Sequence, residues 1–367
     1  MQRLQLLENW LRTQLAQLPR VAQFPSQIAG TTPNETRGEP FTLSPASADA
    51  SFRRYFRVHV DGKSLIVMDA PPQQEDCRPF LHVAELFAEA GAHVPAVLAQ
   101  DLAQGFLLLS DLGSTTYLQA LNEALDNDPV NAGGKADALY REAVNALLEI
   151  QLASKPGVLP EYDEAMLRRE LNLFPDWYLG RHLQVVPDAK QKMELEGIFS
   201  RIVQNNLAQP RVFVHRDYHS RNLMVADPNP GIIDFQDAVY GPITYDLVSL
   251  FRDAYIRWDE ERILDWLIRY WEQGRKLGLP VAHDFADFYR DFEWMGVQRH
   301  IKILGIFARL NYRDGKSAYL GDLPLVEDYL RKACERYREL SPLLTLLDEW
   351  KGGAHGKPPE AKVGYTF

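Results

Sequence analysis

Apolar and polar residues alternate along the first third of the chain, whereas apolar residues recur at helical spacing through most of the rest. The alternation predicts strands within residues 41–70, with a hairpin turn at Asp61–Gly62, and two more strands within residues 94–113. A helix is expected between them at Pro79–Ala90, because Gly91 follows it as a C-terminal stop. These elements form a small β-rich lobe with one helix.

The rest of the chain is predicted to be mostly helical. An amphipathic helix is expected at 1–19, before a loop at 20–40. Further helices are expected at about 136–154, 163–184, 188–207, 244–256, 259–277, 283–310 and 323–349. We therefore predict an α+β fold of two lobes, with the boundaries 1–109 for the N-terminal lobe, 110–113 for a hinge, 114–351 for the helical C-terminal lobe and 352–367 for a mobile tail rich in Gly and Pro.

Composition narrows the class of protein without identifying it. The 367 residues carry a net charge of −10, which argues against nonspecific nucleic-acid binding. Two cysteines, Cys77 and Cys334, indicate a reducing compartment and not a disulfide scaffold. No apolar run approaches the roughly 18 residues of a membrane helix, and the N-terminal helix is too charged for a signal peptide. We expect a cytoplasmic protein with no membrane, nucleic-acid or obligate protein partner.

Two neighbouring segments, 213–224 and 230–241, carry the candidate chemistry. Asp217 lies five residues before Asn222, and Asp234 follows an apolar pair after a turn rich in Pro and Gly, which predicts a hairpin. Phosphoryl transfer from ATP needs one group to orient the attacking hydroxyl and oxygen ligands to hold Mg²⁺. We predict Asp217 as the catalytic residue and Asn222 and Asp234 as magnesium ligands, as in a protein-kinase-like core.

The residues around this hairpin are expected to support it. His215 is expected to hold the loop backbone and Arg216 to form a salt bridge, while Asp246 is expected either to cap a helix and brace the loop or only to cap the helix. Only eleven residues separate Asp234 from Asp246, and no Ala-Pro-Glu follows, so the chain has no room for a peptide-docking activation segment. The acceptor is therefore expected to be a small molecule.

These motifs resemble the aminoglycoside phosphotransferase and choline kinase superfamily, and within it the bacterial anomeric sugar kinases of cell-wall recycling. The matching segments are SFRRYFRV, LIVMDAPP, GFLLLSDLG, WYLGRHL, FVHRDYHSRNLM, GIIDFQDAVYGPITYDLVSLFRDAY and WMGVQRHIKILGIFARLNYRDGKSAYL. The resemblance extends from about Ser51 to Leu320. It implies a kinase that uses ATP and Mg²⁺ to phosphorylate the C1 hydroxyl of N-acetylmuramate or N-acetylglucosamine.

The nucleotide side departs from the general kinase pattern. No Gly-rich loop joins the first two strands, so Ser51, Arg53 and Arg54 are the candidates for phosphate binding, unless the arginines lie on a solvated strand face. Met68 stands where a phosphate-binding lysine is expected, and Glu85 stands where the partner of that lysine would lie.

A second set of nucleotide candidates lies where the chain passes between the lobes. Ser110, Asp111 and Leu112 are expected to form a hinge that offers backbone groups to an adenine edge, although the same residues also suit an ordinary turn between a strand and a helix.

Candidates for binding the acceptor come from two predicted helices, because aromatic faces stack on sugars and arginine pairs with carboxylates. At the same spacing such residues equally suit a helix core. The candidates are Trp177, Tyr178 and Arg181 on one helix and Glu293, Trp294, Arg299 and His300 on another.

Two other functions stay open at the level of the sequence. The same fold serves kinases of aminoglycosides and of choline-like or homoserine-like alcohols. A nucleotide-binding pseudokinase is favoured only by Met68 and the missing glycines, and opposed by the complete set of Asp217, Asn222 and Asp234.

Overall fold

The computed structural model describes residues 2–17, 41–47, 52–60 and 62–353. Ser51, Asp61, the whole of the loop predicted at 20–40 and most of the predicted tail therefore lie outside the described residues. The chain divides into two compact units, one comprising Met1–Leu86 and Val94–Gly113, the other comprising Phe87–His93 and Ser114–Phe367.

The first unit is built on a five-stranded antiparallel sheet with the strand order β1-β2-β3-β5-β4. The strands are β1 Thr42–Ser47, β2 Arg54–Val60, β3 Lys63–Asp69, β4 Val97–Asp101 and β5 Phe106–Ser110. Their period-two pattern sends alternate apolar side chains to one face, which a helix can cover. The expected strands and the helix α2, Arg78–Glu89, are confirmed.

The N-terminal helix α1, Gln2–Gln17, covers that face of the sheet. Its buried residues Leu7, Trp10 and Leu11 belong to one hydrophobic core with sheet residues, and the rings of Trp10 and Phe106 lie 5.6 Å apart. Arg3 extends from the same helix to the buried carboxylate of Asp69. The amphipathic helix expected at the N-terminus is therefore part of the first unit's core.

The second unit is mostly helical. Its helices are α3 Tyr117–Asn127, α4 Pro129–Leu152, α5 Glu164–Leu171, a π-helix at Phe174–Leu183, α6 Ala189–Ala208, α7 Tyr245–Phe251, α8 Glu260–Leu277, α9 Phe285–Asp314, α10 Leu323–Arg336 and α11 Ser341–Gly353, with 3₁₀ turns at Ser317–Asp322 and Arg338–Leu340. Two short antiparallel pairs accompany them, β6 Arg211–Val214 with β9 Val239–Pro242 and β7 Leu223–Met224 with β8 Gly231–Ile232. None of the helices in the described part of the chain is both long and apolar enough to cross a bilayer.

Two helices predicted as continuous are interrupted. The helix predicted at 163–184 ends at Leu171, and a separate π-helix follows and stops at Gln184, whose φ is 57°. Gly305 allows α9 to pack closely against the chain at Leu173, where the π-helix begins. A Cβ at position 305 would lie only 2.5 Å from the carbonyl carbon of Leu173. The helix predicted at 323–349 is broken after Arg336 by a 3₁₀ turn.

The long helix α9 is the element that positions most of the polar core of the second unit. Its middle turns are buried on nearly every side, and Gly315, with a φ of 70°, terminates it. Ionisable residues on a buried helix need partners, since an unpaired buried charge is costly. The ionisable residues concerned are Glu293, Arg299, His300 and Lys302.

Candidate active site

The short hairpin of β7 and β8 brings the three predicted catalytic residues together. Asn222 donates from Nδ2 to the backbone oxygen of Asp217 over 3.0 Å and to Oδ2 of Asp234 over 3.2 Å. Because both hydrogens of the amide are used in this way, the Asn222 oxygen is the atom left for a cation. One amide therefore fixes the spacing between the two aspartates.

Two residues of this site have backbone conformations that side chains rarely adopt. The φ of Arg216 is 76° and that of Asp234 is 65°. Such conformations cost about 1–3 kcal/mol each and persist where surrounding contacts hold them. For Asp234 one such contact is Gln236, whose Nε2 donates to Oδ1 over 2.8 Å. Gln236 directly follows the Asp-Phe pair, but no sequence pattern predicted that its side chain would contact Asp234.

The Asp217 carboxylate is 41% exposed and faces a group of cations. Nη2 of Arg299 lies 3.6 Å from Oδ1 of Asp217. Burial alone would raise the pKa of Asp217, but the charges of Lys302 and Arg299 outweigh it and hold the pKa below its ordinary range. Solvent at the exposed side weakens this effect. The carboxylate is therefore ionised at neutral pH and can accept a hydrogen bond from a hydroxyl group.

Asp246 braces the catalytic loop. Its carboxylate accepts hydrogen bonds from the backbone N–H groups of His215, at 2.7 Å, and Arg216, at 3.0 Å. Burial raises the pKa of Asp246 to about 7, although these two bonds oppose the shift. The bracing interpretation is thus confirmed and the capping one is wrong, because Thr244 occupies the N-cap position of α7.

His215 holds backbone, as expected from the sequence. Its Nδ1 accepts from the N–H of Asp217 over 3.3 Å, so Nε2 carries the proton and donates to the oxygen of Ile233 over 3.0 Å. Burial lowers the pKa of His215 to about 4, which keeps the ring neutral. The ring therefore links the catalytic loop to the strand end that carries Asp234.

A buried ionic network lies behind the loop. Nη2 of Arg216 lies 2.7 Å from Oε1 of Glu170, which confirms the expected salt bridge, and Nζ of Lys302 lies 3.1 Å from the same oxygen. Lys302 also donates to the hydroxyl of Tyr245 over 2.8 Å. Arg299 donates from Nη1 to the backbone oxygen of Arg216 over 2.7 Å. No sequence pattern marked Glu170, Lys302 or Tyr245, because they lie on three separate helices.

The predicted phosphate-binding arginines both form ion pairs within the first unit. Arg53 pairs with Glu75 at 3.1 Å, and Arg54 pairs with the buried carboxylate of Asp69. Met68, at the position expected for a lysine, is fully buried. The position expected for a lysine is thus apolar, and the two arginines, one before β2 and one on it, are bound to carboxylates.

The predicted hinge residues are held at the end of β5. The hydroxyl of Ser110 accepts from the N–H of Ala96 over 2.8 Å. Asp111 pairs with Arg57, with Nε and Oδ2 2.6 Å apart, and its pKa is lowered because that guanidinium outweighs the opposing effect of burial. Leu112 is buried.

The acceptor candidates on the π-helix have mixed surroundings. Tyr178 is buried, donates to Glu327 over 3.0 Å and stacks on Phe174 with ring centroids 5.2 Å apart. Trp177 is half-buried and Arg181 is exposed. The buried hydroxyl of Tyr178 is thus committed to the core.

The candidates on α9 are mostly bound to protein groups. Glu293 is fully buried between Arg252, at 2.7 Å, and Arg336, at 2.5 Å. Trp294 is buried under the guanidinium of Arg290, at 4.8 Å from its ring centroid. Of the seven acceptor candidates, Arg299 is the one with a described ion-pair contact to Asp217.

His300 gives a test of the buried polar core. The ring is fully buried, stacks on Tyr329 at 5.2 Å and lies 3.5 Å from the backbone oxygen of Arg252, and burial lowers its pKa to about 3. At pH values between about 3 and the ordinary histidine pKa of 6.5, His300 is protonated more in the unfolded chain than in the folded protein. His300 therefore makes the folded protein less stable as the pH falls through this range. We expect His300→Gln to reduce the loss of unfolding free energy between about pH 6.5 and about pH 4 relative to the native protein. Urea unfolding at both values measures it.

The exposed His59 provides the matched control for this comparison. His59→Gln should leave the difference between the two pH values unchanged. An unchanged difference in His300→Gln as well would contradict a neutral, buried His300.

Fold and site together define the class. An antiparallel β-rich unit, a helical unit and an Asp–Asn–Asp hairpin make a protein-kinase-like α+β fold. Solved structures share this fold: choline kinase LicA from Streptococcus pneumoniae matches with a TM-score of 0.53 and 13% identity over 76% of this chain and 89% of its own. The aminoglycoside phosphotransferase APH(2'')-Ib, ADP-bound, matches with a TM-score of 0.51 and 13% identity over 83% of this chain and 94% of its own.

Residues 42–290 match the phosphotransferase enzyme family, and the chain belongs to it. A Pseudomonas aeruginosa protein named N-acetylmuramate/N-acetylglucosamine kinase is 50% identical over 96% of this chain and 98% of its own length. A Neisseria meningitidis serogroup B protein of the same name is 49% identical over 89% of this chain and 94% of its own length. The superfamily inferred from the sequence is therefore confirmed, and the protein is a phosphotransferase.

Proposed function

We propose that this protein is an ATP-dependent kinase that phosphorylates the anomeric C1 hydroxyl of N-acetylmuramate and N-acetylglucosamine, in the cytoplasm, as a step in cell-wall recycling. The observation that carries the proposal is the 50% identity, over 96% of this chain, to a protein named for these two sugars. The geometry of Asp217, Asn222 and Asp234 supports the reaction class.

Asp217 is proposed to accept a hydrogen bond from the C1 hydroxyl, to aim the oxygen at the terminal phosphate and to take the proton late. A loose phosphoryl-transfer transition state needs positioning more than a strong base. An anomeric hydroxyl is more acidic than an ordinary alcohol, so a carboxylate with a depressed pKa suffices. Arg299, 3.6 Å from Asp217, helps to hold the carboxylate in place.

The residues at the hairpin suit Mg²⁺. Asn222 has a free amide oxygen and Asp234 offers a carboxylate, whereas among the described residues no group of three His, Cys, Asp or Glu side chains could hold a metal. Magnesium is commonly bound by one or two protein oxygens together with water and substrate phosphates. When bound, the metal neutralises charge on the phosphates of the nucleotide.

The nucleotide contacts are proposed on the first unit. Ser51, Arg53 and Arg54 would contact the phosphates, the arginines exchanging their carboxylate partners for them. Backbone groups of Ser110 to Leu112 would contact the adenine. Both carboxylates are largely buried, and Asp69 would keep Arg3 as an ion-pair partner after the exchange.

Phosphorus NMR of the purified protein with ATP and Mg²⁺ tests the proposal. The panel comprises N-acetylmuramate, N-acetylglucosamine, galactose, choline, homoserine and kanamycin. We expect a phosphate resonance coupled to the anomeric proton with the two amino sugars. This coupling identifies the acceptor and the position of attack in one measurement.

Two other outcomes would redirect the assignment. Turnover with choline, homoserine or kanamycin, and with neither amino sugar, would keep the kinase class and discard the sugar. Nucleotide binding without transfer to any acceptor would favour the pseudokinase that the buried Met68 also suits.

A further inference from the structure

Arg221 stands next to the catalytic residues without belonging to their set. It lies between Ser220, whose backbone N–H donates to Asp253 over 2.9 Å, and Asn222, whose N–H donates to the oxygen of His219 over 2.9 Å. The backbone on both sides of Arg221 is thus fixed by hydrogen bonds, while its own side chain is exposed.

An aromatic residue positions the Arg221 guanidinium. Its central carbon lies 3.5 Å from the ring centroid of Tyr255 and 5.8 Å from that of Tyr319. Tyr255 is itself held by a 3.1 Å hydrogen bond from its N–H to Asp253 and by Phe307, stacked at 6.1 Å. Stacking on an aromatic face leaves the edge of a guanidinium open to a planar anion.

Arg221 has no acidic partner among the described residues, with which it forms no hydrogen bond or ion pair. Asp322 is half-buried and acts on it electrostatically, but the two are not in ion-pair contact. The neighbouring arginines of the same unit differ, since each has a carboxylate within 4.0 Å; they are Arg216, Arg252 and Arg299. A pre-positioned guanidinium without a protein carboxylate suits a carboxylate on a ligand.

A chain of contacts connects Arg221 with the reacting position. The ring of His219 packs edge-on against Tyr255, with centroids 5.4 Å apart, and the N–H of His219 donates to the backbone oxygen of Asp217 over 3.0 Å. The guanidinium and the Asp217 carboxylate therefore belong to one short, tightly turned loop. A sugar whose C1 hydroxyl meets Asp217 would place its neighbouring ring substituents over this loop.

We propose that Arg221 binds the lactyl carboxylate of N-acetylmuramate and thereby favours this sugar over N-acetylglucosamine. The inference rests on the proposed function. The two sugars differ in the lactyl ether at C3, which adds one carboxylate, and guanidinium pairs with carboxylates bidentately. Arg299 is committed to Arg216 and Asp217, so the exposed Arg221, and not Arg299, is the arginine of this loop region that is available to the carboxylate.

The test compares kcat/KM for the two sugars in the native protein and in Arg221→Gln. We expect kcat/KM for N-acetylmuramate to fall roughly tenfold to a hundredfold, because a charged hydrogen bond is lost, and kcat/KM for N-acetylglucosamine to change about twofold or less. Arg221→Lys should give an intermediate loss, since it keeps the charge and loses the planar fork. The KM for ATP should stay constant.

Arg257→Gln is the matched control, because Arg257 lies two residues after Tyr255 and is ion-paired with Asp328 at 2.6 Å. Arg257→Gln should leave kcat/KM unchanged for both sugars. The methyl ester of N-acetylmuramate provides a second readout, since it should lose activity with the native protein and match the acid with Arg221→Gln.

Equal losses for both sugars in Arg221→Gln, or a raised KM for ATP, would overturn the inference and assign Arg221 to the loop or to the nucleotide phosphates. A selective loss in Arg181→Gln with none in Arg221→Gln would overturn it as well. If the native protein phosphorylates neither sugar, the proposed function itself fails. That result can be distinguished from the two outcomes that overturn only the role of Arg221.

Discussion

Replacing Asp217 with Asn is expected to abolish phosphate transfer while nucleotide binding largely survives. The substitution keeps the size of the side chain and removes the charge that is proposed to aim the hydroxyl and to take its proton. Positioned acid–base groups contribute about a hundredfold to ten-thousandfold, and we expect a loss in kcat of that order. Coupled-assay kinetics measure the rate, and calorimetric titration with ATP measures the binding.

Asp237→Asn serves as the control for this variant. Asp237 is an exposed residue of the segment that follows Asp234, and its backbone oxygen, not its carboxylate, accepts from Arg216. It should retain normal turnover. A near-normal rate in Asp217→Asn would remove Asp217 from the mechanism, whatever the roles of Asn222 and Asp234.

Replacing Glu170 with Gln is expected to destabilise the second unit. Glu170 accepts from Tyr162, Arg216 and Lys302, so the amide removes the carboxylate with which two cations are paired. Removing one partner of a buried ion pair costs about 3–5 kcal/mol. We expect the free energy of unfolding in urea to fall by about that amount and kcat to fall with it, because Arg216 belongs to the catalytic loop.

The double variant Glu170→Gln with Lys302→Met separates charge from packing. It should recover part of the lost stability, since one stranded cation is removed. Glu164→Gln, on the exposed side of the same helix, should cost at most about 1 kcal/mol. Equal effects of Glu164→Gln and Glu170→Gln would show that the buried network contributes nothing special.

The catalytic hairpin was predictable because its information is local. Asp217, Asn222 and Asp234 lie within one short stretch, and each is flanked by apolar residues or a turn that dictate its geometry. The strands of the first unit were predictable for the same reason, since the alternation of apolar and polar residues in a strand is visible in any short segment of the sequence. Amphipathic spacing likewise identified most of the long helices.

The surroundings of the site were not predictable in this way. Glu170, Tyr245 and Lys302 meet from helices far apart in sequence, and no local pattern marks a buried ion pair. Glu293 and Trp294 show the converse: spacing that suits a ligand-facing helix also suits one buried on all sides. Arg221 lies inside the recognised motif, but the position of its guanidinium depends on the ring of Tyr255. The two residues come into contact only in the folded chain.

Strand β9 gives the segment between Asp234 and Asp246 a fixed place, because it pairs with β6 along its whole length. Enzymes of the same fold that act on proteins keep a longer stretch here, and phosphorylation orders it. In this protein the segment is already ordered by strand pairing. Its turnover is then expected to follow the supply of acceptor and nucleotide without a phosphorylation step that orders this segment.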